Sequence, residues 1–182
     1  PETIWTSFFG GFNDSYGHSV QQTSDGGYII TGEIYSPTNH YDVWLIKTDL
    51  QGDTLWTKTF GESNYNERGY SVQQTLDNGY IITGTKSTSS GHYNIWLIKT
   101  DTNGVEEWNK QFGQSNRWDE AFSVRQTTDG GYILTGYKEF NTSAGTDVYL
   151  IKTDSSGDTL WTKTYGGVGG DKGKSVRQTT DG

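Results

Sequence analysis

Ser71-Val72-Gln73-Gln74-Thr75-Leu76-Asp77-Asn78-Gly79-Tyr80-Ile81-Ile82-Thr83-Gly84 is the stretch that decides the fold. Two runs rich in β-branched and aromatic residues flank an Asp-Asn-Gly turn. Such a turn supplies the positive φ that a tight hairpin demands, so the stretch reads as two antiparallel strands. The stretch recurs. Ser-Val-Gln-Gln-Thr starts at Ser19 and Ser71, and Ser-Val-Arg-Gln-Thr at Ser123 and Ser175, with a constant spacing of 52 residues. The partner run Gly27-Tyr28-Ile29-Ile30-Thr31-Gly32 returns from Gly79 and from Gly131.

Further out, Trp44-Leu45-Ile46-Lys47-Thr48-Asp49 matches Trp96 to Asp101 and Tyr149 to Asp154. Leu55-Trp56-Thr57-Lys58-Thr59-Phe60-Gly61 matches Leu160 to Gly166 and, more loosely, Glu107 to Gly113. Each unit therefore reads as four strands, A to D. The A–B links carry Asp25-Gly26, Asp77-Asn78 and Asp129-Gly130. The C–D links, Asp49 to Gly52 and its equivalents, suit a type I turn closed by a left-handed glycine. Strand C is apolar on both faces, which is the pattern of a strand buried from both sides. No helical period is sustained.

Tandem four-stranded units of this length are the mark of β-propeller blades. The predicted fold class is all-β, with complete blades at about 19–61, 71–113 and 123–166. An N-terminal D strand (Ile4 to Phe9, within 1–10) and a C-terminal A strand (within 175–182) flank them. Independent sandwiches need roughly 100 residues per unit, about twice the period seen. Propeller rings usually hold 4–8 blades. The expectation is thus a single propeller segment, 1–182, belonging to a longer repeat array or completed by oligomerisation.

Composition narrows the function. The 182 residues carry 14 Lys+Arg against 22 Asp+Glu, a net charge of −8, with basic residues clustered only at Lys172, Lys174 and Arg177. Nucleic-acid binding needs a basic surface, so no nucleic-acid partner is expected. The absence of cysteine removes disulfides, thiolate metal sites and cysteine nucleophiles. No apolar run approaches the roughly 20 residues that span a bilayer as a helix, so no membrane insertion is expected.

Lys47-Thr48-Asp49-Leu50-Gln51-Gly52-Asp53-Thr54-Leu55-Trp56 resembles the Asp-x-x-Gly-x-x-x-Trp turn of quinoprotein-type (PQQ-like) propeller repeats, in which the Trp docks on the neighbouring blade. The Ser-Val-Gln-Gln-Thr-x-Asp-Gly-Gly-Tyr-Ile-Ile-Thr-Gly pattern with Trp-Leu-Ile-Lys-Thr-Asp resembles repeats of exported and cell-surface proteins of bacteria and archaea, mostly without assigned function. The resemblance covers essentially the whole chain and implies an extracellular or cell-surface location. Quinoprotein dehydrogenases also carry vicinal Cys, a calcium site and a catalytic Asp. Nothing here matches those, so PQQ is not carried over and no cofactor is expected. Thr23-x-Asp25-x-Gly27 and its copies are similar to the Asp-box turn of sialidase-like propellers, a structural turn whose closing aromatic is misplaced here.

Recurrence assigns most conspicuous residues to structure. Trp5, Trp56, Trp108 and Trp161 occupy one strand position and are expected in the core between blades, as are Trp44, Trp96 and Tyr149. Lys47, Lys99 and Lys152 read as stems lying over aromatics with their heads in water. Asp49, Asp53, Asp101, Asp154 and Asp158 read as turn caps, since a calcium hand needs a loop of 12 residues. Glu67, Asp119 and Asp171 read as loop-ordering acceptors. His18, His40 and His92 lie in loops without zinc spacing. No catalytic residue and no metal ligand is assigned.

The B–C and D–A loops differ between copies, whereas the A–B and C–D hairpins are nearly identical. In an up-and-down blade the variable loops share one face, and binding residues concentrate on loops carried by a rigid scaffold. That face holds Phe12, Tyr16, His40, Tyr41, Tyr65, Arg68, His92, Tyr93, Arg117, Trp118 and Phe140. Trp118 has no counterpart in another unit. The expected function is a non-enzymatic propeller that binds a protein or glycan partner through this face. The alternatives are a structural spacer or self-associating building block of a surface assembly, and a propeller glycosidase or lyase with paired carboxylates.

Overall fold

The computed structural model describes residues 6–10, 14–37, 40–140 and 145–181. Trp5 and Phe12 lie outside them. Among the described residues there are strands and turns and no helix. β1 (Ser15–Gln22), β2 (Tyr28–Tyr35), β3 (Tyr41–Thr48) and β4 (Thr54–Phe60) form the first sheet in sequential antiparallel order. β5 (Glu67–Gln74), β6 (Tyr80–Ser87), β7 (Tyr93–Thr100) and β8 (Glu106–Phe112) form the second. β9 (Glu120–Gln126), β10 (Tyr132–Glu139), β11 (Gly145–Thr153) and β12 (Thr159–Tyr165) form the third, and the short β13 (Gly169–Gly170) pairs in parallel with β11. No sheet closes into a barrel.

The hairpins follow from the turn residues. In the β1–β2 link, Thr23 N donates to Gly27 O and Gly26 N to Thr23 O, with Gly26 at φ 86°. Asn78 takes the same left-handed conformation at φ 64°, which asparagine tolerates. Asp25 organises the turn by accepting from Thr23 Oγ1 (2.6 Å) and Gly27 N (3.0 Å). In the β3–β4 link, Asp49 Oδ1 accepts from the amides of Gln51 and Asp53.

The lysine row corrects the expectation of solvated heads. Lys47 is 4% exposed, and its Nζ meets Asp25 at 2.9 Å and the Thr48 carbonyl at 2.7 Å. Lys99 reaches Asp77 (2.8 Å) and Glu107 (2.9 Å), and Lys152 reaches Asp129 (2.8 Å). Thr23 and Lys47, as hydrogen-bond donors, hold the Asp25 carboxyl down to about 2. Lys99 and Thr75 likewise bring Asp77 to about 2, against the burial that opposes them. Each buried ammonium thus ties strand C to the A–B turn of its own sheet, because a buried charge needs a partner.

The sheets stack in series. One core cluster joins Ile29, Val43 and Leu45 of the first sheet to Val72, Tyr80, Ile82, Trp96 and Ile98 of the second. A matching cluster joins the second sheet to the third. Trp56 packs edge-on against Tyr80, and Trp108 against Tyr132, both with centroids 5.8 Å apart. A Cβ on Gly104 would come within 2.8 Å of the Trp56 ring, so only glycine admits the indole there. Trp56 and Trp108 are half-buried between neighbouring sheets, but Trp161 is 42% exposed.

The Ser-Val-x-Gln-Thr strands also join the sheets directly. Gln74 N donates to Gln21 Oε1 and Gln126 N to Gln73 Oε1, each at 2.7 Å. In the reverse direction, Ser24 N donates to Gln74 Oε1 (2.8 Å) and Leu76 N to Gln126 Oε1 (2.9 Å). The recurrent glutamines are thus sheet-to-sheet connectors.

The flanking strands depart from expectation. Ile4 and Trp5 of the expected N-terminal strand lie outside the described residues, and residues 6–10 pair with no strand among those described. Residues 171–179 form no ladder, yet they lie against the third sheet as β5 lies against the first. Asp171 N donates to Thr146 O, Gly173 N to Gly136 O and Val176 N to Ser123 Oγ. A strand is defined by a paired neighbour, and among the described residues no strand pairs with this segment.

Candidate functional site

A β-bulge builds the start of each A strand. The pairing register shifts between Gly17 and Ser19 and between Gly69 and Ser71, and a matching shift opposite Thr135 and Gly136 leaves Phe122 as the extra residue. A bulge re-aims one side chain out of the pleat. The re-aimed residues form a row across the three sheets. His18 meets Tyr70 at 5.3 Å, Tyr70 meets Phe122 at 5.4 Å, and Lys174 Nζ sits 3.6 Å over the Phe122 ring. Glycine at the facing strand-B position admits this geometry, since a Cβ on Gly84 would run into Arg68 O.

Beside this row lies the group that holds most of the predicted site. Arg68 Nε pairs with Glu33 Oε2 at 2.9 Å, and its guanidinium carbon sits 5.5 Å from the Tyr93 ring centre. Trp118 packs on Tyr93 (5.1 Å) and on His92 (5.5 Å) and remains 39% exposed. Its amide donates to Glu139 Oε2 at 2.8 Å, which fixes the backbone under the indole. Ser90 Oγ contacts His92 Nδ1 at 3.1 Å and also donates to Ser115 O. Thr88 Oγ1 donates to Ser115 O at 2.9 Å. The B–C loop of the second sheet and the following D–A loop are therefore one bonded unit, and Trp118 caps it.

The other predicted residues stand apart from this group. Tyr41 packs with Tyr35 (5.2 Å) and Tyr16 (6.3 Å) on the first sheet, with half-buried His40 adjoining in sequence. Tyr65 lies 6.0 Å from Lys86 Nζ, and Phe140 lies 5.9 Å from Lys138 Nζ. Arg117 is half-buried, its amide donating to Gln114 O. Sequence reasoning assigned no role to Glu33, Tyr70 or Phe122. The signal for the bulge row was present: one variable position before each invariant Ser of strand A.

At each sheet junction on this face, two carboxylate or amide side chains converge on a glycine. They are Asp42 and Glu67 at Gly61, Asn94 and Asp119 at Gly113, and Asp147 and Asp171 at Gly166. Asp119 accepts from Gln114 N and Glu139 N, and Asp171 from Gly167 N, as loop-ordering acceptors. Glu67 differs in its burial. It is fully buried, and neither carboxylate oxygen has a well-aligned hydrogen bond, the backbone at Glu62 being its one weak partner. Burial pushes its carboxyl up to about 7, with nearby Asp42 adding to the shift and Lys86 opposing it. Among the described residues no group of three or more His, Asp or Glu side chains is placed to hold a metal ion.

The Glu33–Arg68–Tyr93–Trp118–His92 group presents an aromatic edge beside a charged pair held on β2 and β5. That chemistry suits recognition of a ligand with both apolar and hydroxyl or charged surfaces. Neither any protein-family model nor any curated protein sequence matches the chain.

Proposed function

We propose that the stacked sheets are β-propeller blades and that the chain is a non-enzymatic, extracellular or cell-surface binding module. Its partner is a protein or a glycan, engaged through the B–C/D–A loop face. The serial packing of antiparallel sheets and the recurrent Trp docking support the blade reading. The location rests on the resemblance to exported repeat proteins. The binding reading is carried by one observation: Trp118, present in one copy only, is held exposed on Tyr93 and His92 by loops bonded to each other. Exposed aromatics on a rigid backing are the usual anchors of recognition. Screening the intact chain and the Trp118→Ala and Tyr93→Ala variants against a cell-surface glycan and protein array tests this. A ligand lost by both variants is the expected result. Ligands bound equally by all three proteins, or none bound by any, would sink the proposal.

A further inference from the structure

The proton on His92 is placed by its neighbours. Ser90 Oγ donates to Ser115 O, since a carbonyl can only accept. The single hydrogen of the serine is thereby spent. At its 3.1 Å contact with His92 Nδ1 the serine oxygen must then accept, so the proton of the neutral imidazole lies on Nδ1. The Ser115 carbonyl also takes Thr88 Oγ1 at 2.9 Å, which holds the two loops together. The lone pair of the ring is left on Nε2, across the ring from the serine, and among the described residues no donor reaches it. The same ring meets Trp118 edge-on, with centroids 5.5 Å apart. An exposed indole and a hydrogen-bond acceptor of fixed tautomer thus stand side by side.

The charges around this pair are matched among themselves. Arg68 pairs with Glu33 and Lys86 with Glu62. Asp119 accepts from the amides of Gln114 and Glu139, and Glu139 from that of Trp118. Arg117 is half-buried and engaged in an interaction of its own. A ligand therefore meets no unmatched charge among these residues, and the net charge of −8 disfavours anions. In the loops 88–92 and 113–119, Trp118 is the only exposed large hydrophobic side chain. A protein interface covers about 800 Å² per partner around several apolar anchors. One indole offers at most about 250 Å², which suits a single sugar ring. Resting on the binding role given above to Trp118, we infer that the ligand class of this site is a neutral glycan. The C–H face of one pyranose lies on the indole, and a hydroxyl beside that face donates to His92 Nε2. Ser90 is a positioning residue that fixes the tautomer.

The test titrates the intact chain calorimetrically with neutral hexasaccharides of glucose, galactose, mannose and N-acetylglucosamine. At least one should bind with Kd below about 1 mM. Trp118→Ala and His92→Phe should each weaken it at least about 10-fold. His92→Gln, whose Oε1 can stand in for Nε2, should stay within about 3-fold of the parent. Circular dichroism of each variant should match the parent. Affinity should be unchanged between about 50 mM and 500 mM salt, and a carboxylated analogue of the same hexasaccharide should bind no tighter. Nitrogen NMR shifts of His92 should report the Nδ1–H tautomer in the parent and its loss in Ser90→Ala, with weaker sugar binding. The inference is overturned if no hexasaccharide binds by about 10 mM, if His92→Phe binds as the parent does, or if affinity tracks salt or the added carboxylate. It is also overturned if the parent shows the Nε2–H tautomer. A protein ligand lost by Trp118→Ala, with no sugar bound, would overturn it and leave the binding reading standing. A sugar bound independently of Trp118 would overturn both.

Discussion

The two ends of each sheet solve opposite problems. At the A–B and C–D end, every copy repeats one device: a buried lysine, a turn aspartate and a left-handed residue in each hairpin. At the B–C and D–A end, equivalent positions hold Tyr16, Arg68, Glu120 and Lys172, or His18, Tyr70, Phe122 and Lys174. The first end repeats because a buried ammonium has few solutions. The second varies because bulges and paired loops hold its backbone whatever the side chain. The lesson is that fixed bonding and side-chain variation occupy separate ends of one scaffold.

The sharpest way to break that contrast is at the repeated end. Asp25→Ala strands Lys47 with only a carbonyl partner and should cost about 3 kcal/mol in denaturant unfolding. Asp77→Ala should cost roughly half as much, because Lys99 keeps Glu107. Equal losses would mean that the aspartates act as turn formers alone. The Asp25 carboxyl sits below its ordinary value of 3.8, so its contribution is present above that pH and fades as pH falls toward about 2.

Glu67, at the variable end, has the opposite sign. Its folded carboxyl is raised from 4.5 to about 7. Between those values the unfolded chain has released the proton and the folded chain retains it, so stability falls as pH rises and levels off above about 7. Full ionisation costs on the order of 3 kcal/mol. Glu67→Gln should therefore raise Tm at pH 8 and leave it nearly unchanged at pH 4, as followed by thermal denaturation at both pH values. A variant less stable than the parent at pH 8 would contradict this. The smallest effect is at the proposed site itself: Trp118→Ala should shift unfolding free energy by no more than about 0.5 kcal/mol. A larger loss would make the indole a structural cap.

Strands and hairpins were legible because their causes are local. Asp-Gly, Asp-Asn and the alternating β-branched runs need no distant partner to be read. The Lys47–Asp25 pair was not legible, because the residues lie 22 positions apart on different elements and meet only after β2 folds back. Trp161 was assigned to a buried row by its repeat position, but burial depends on a neighbour that periodicity cannot supply. In the site, Trp118 stood out by its uniqueness. Glu33 did not, since its role appears only when Arg68 of the next sheet reaches it.

The glutamine connectors have a consequence for how such a chain can change. Gln21 meets Gln74 and Gln73 meets Gln126, in both cases across 53 positions, although the third unit has redistributed residues among its loops. Among the described residues these connections run between adjacent sheets, which is the pattern of a one-dimensional series of modules with nearest-neighbour terms. In evolutionary terms, the connectors insulate: a loop can lengthen or mutate in one module without altering the pitch of the next.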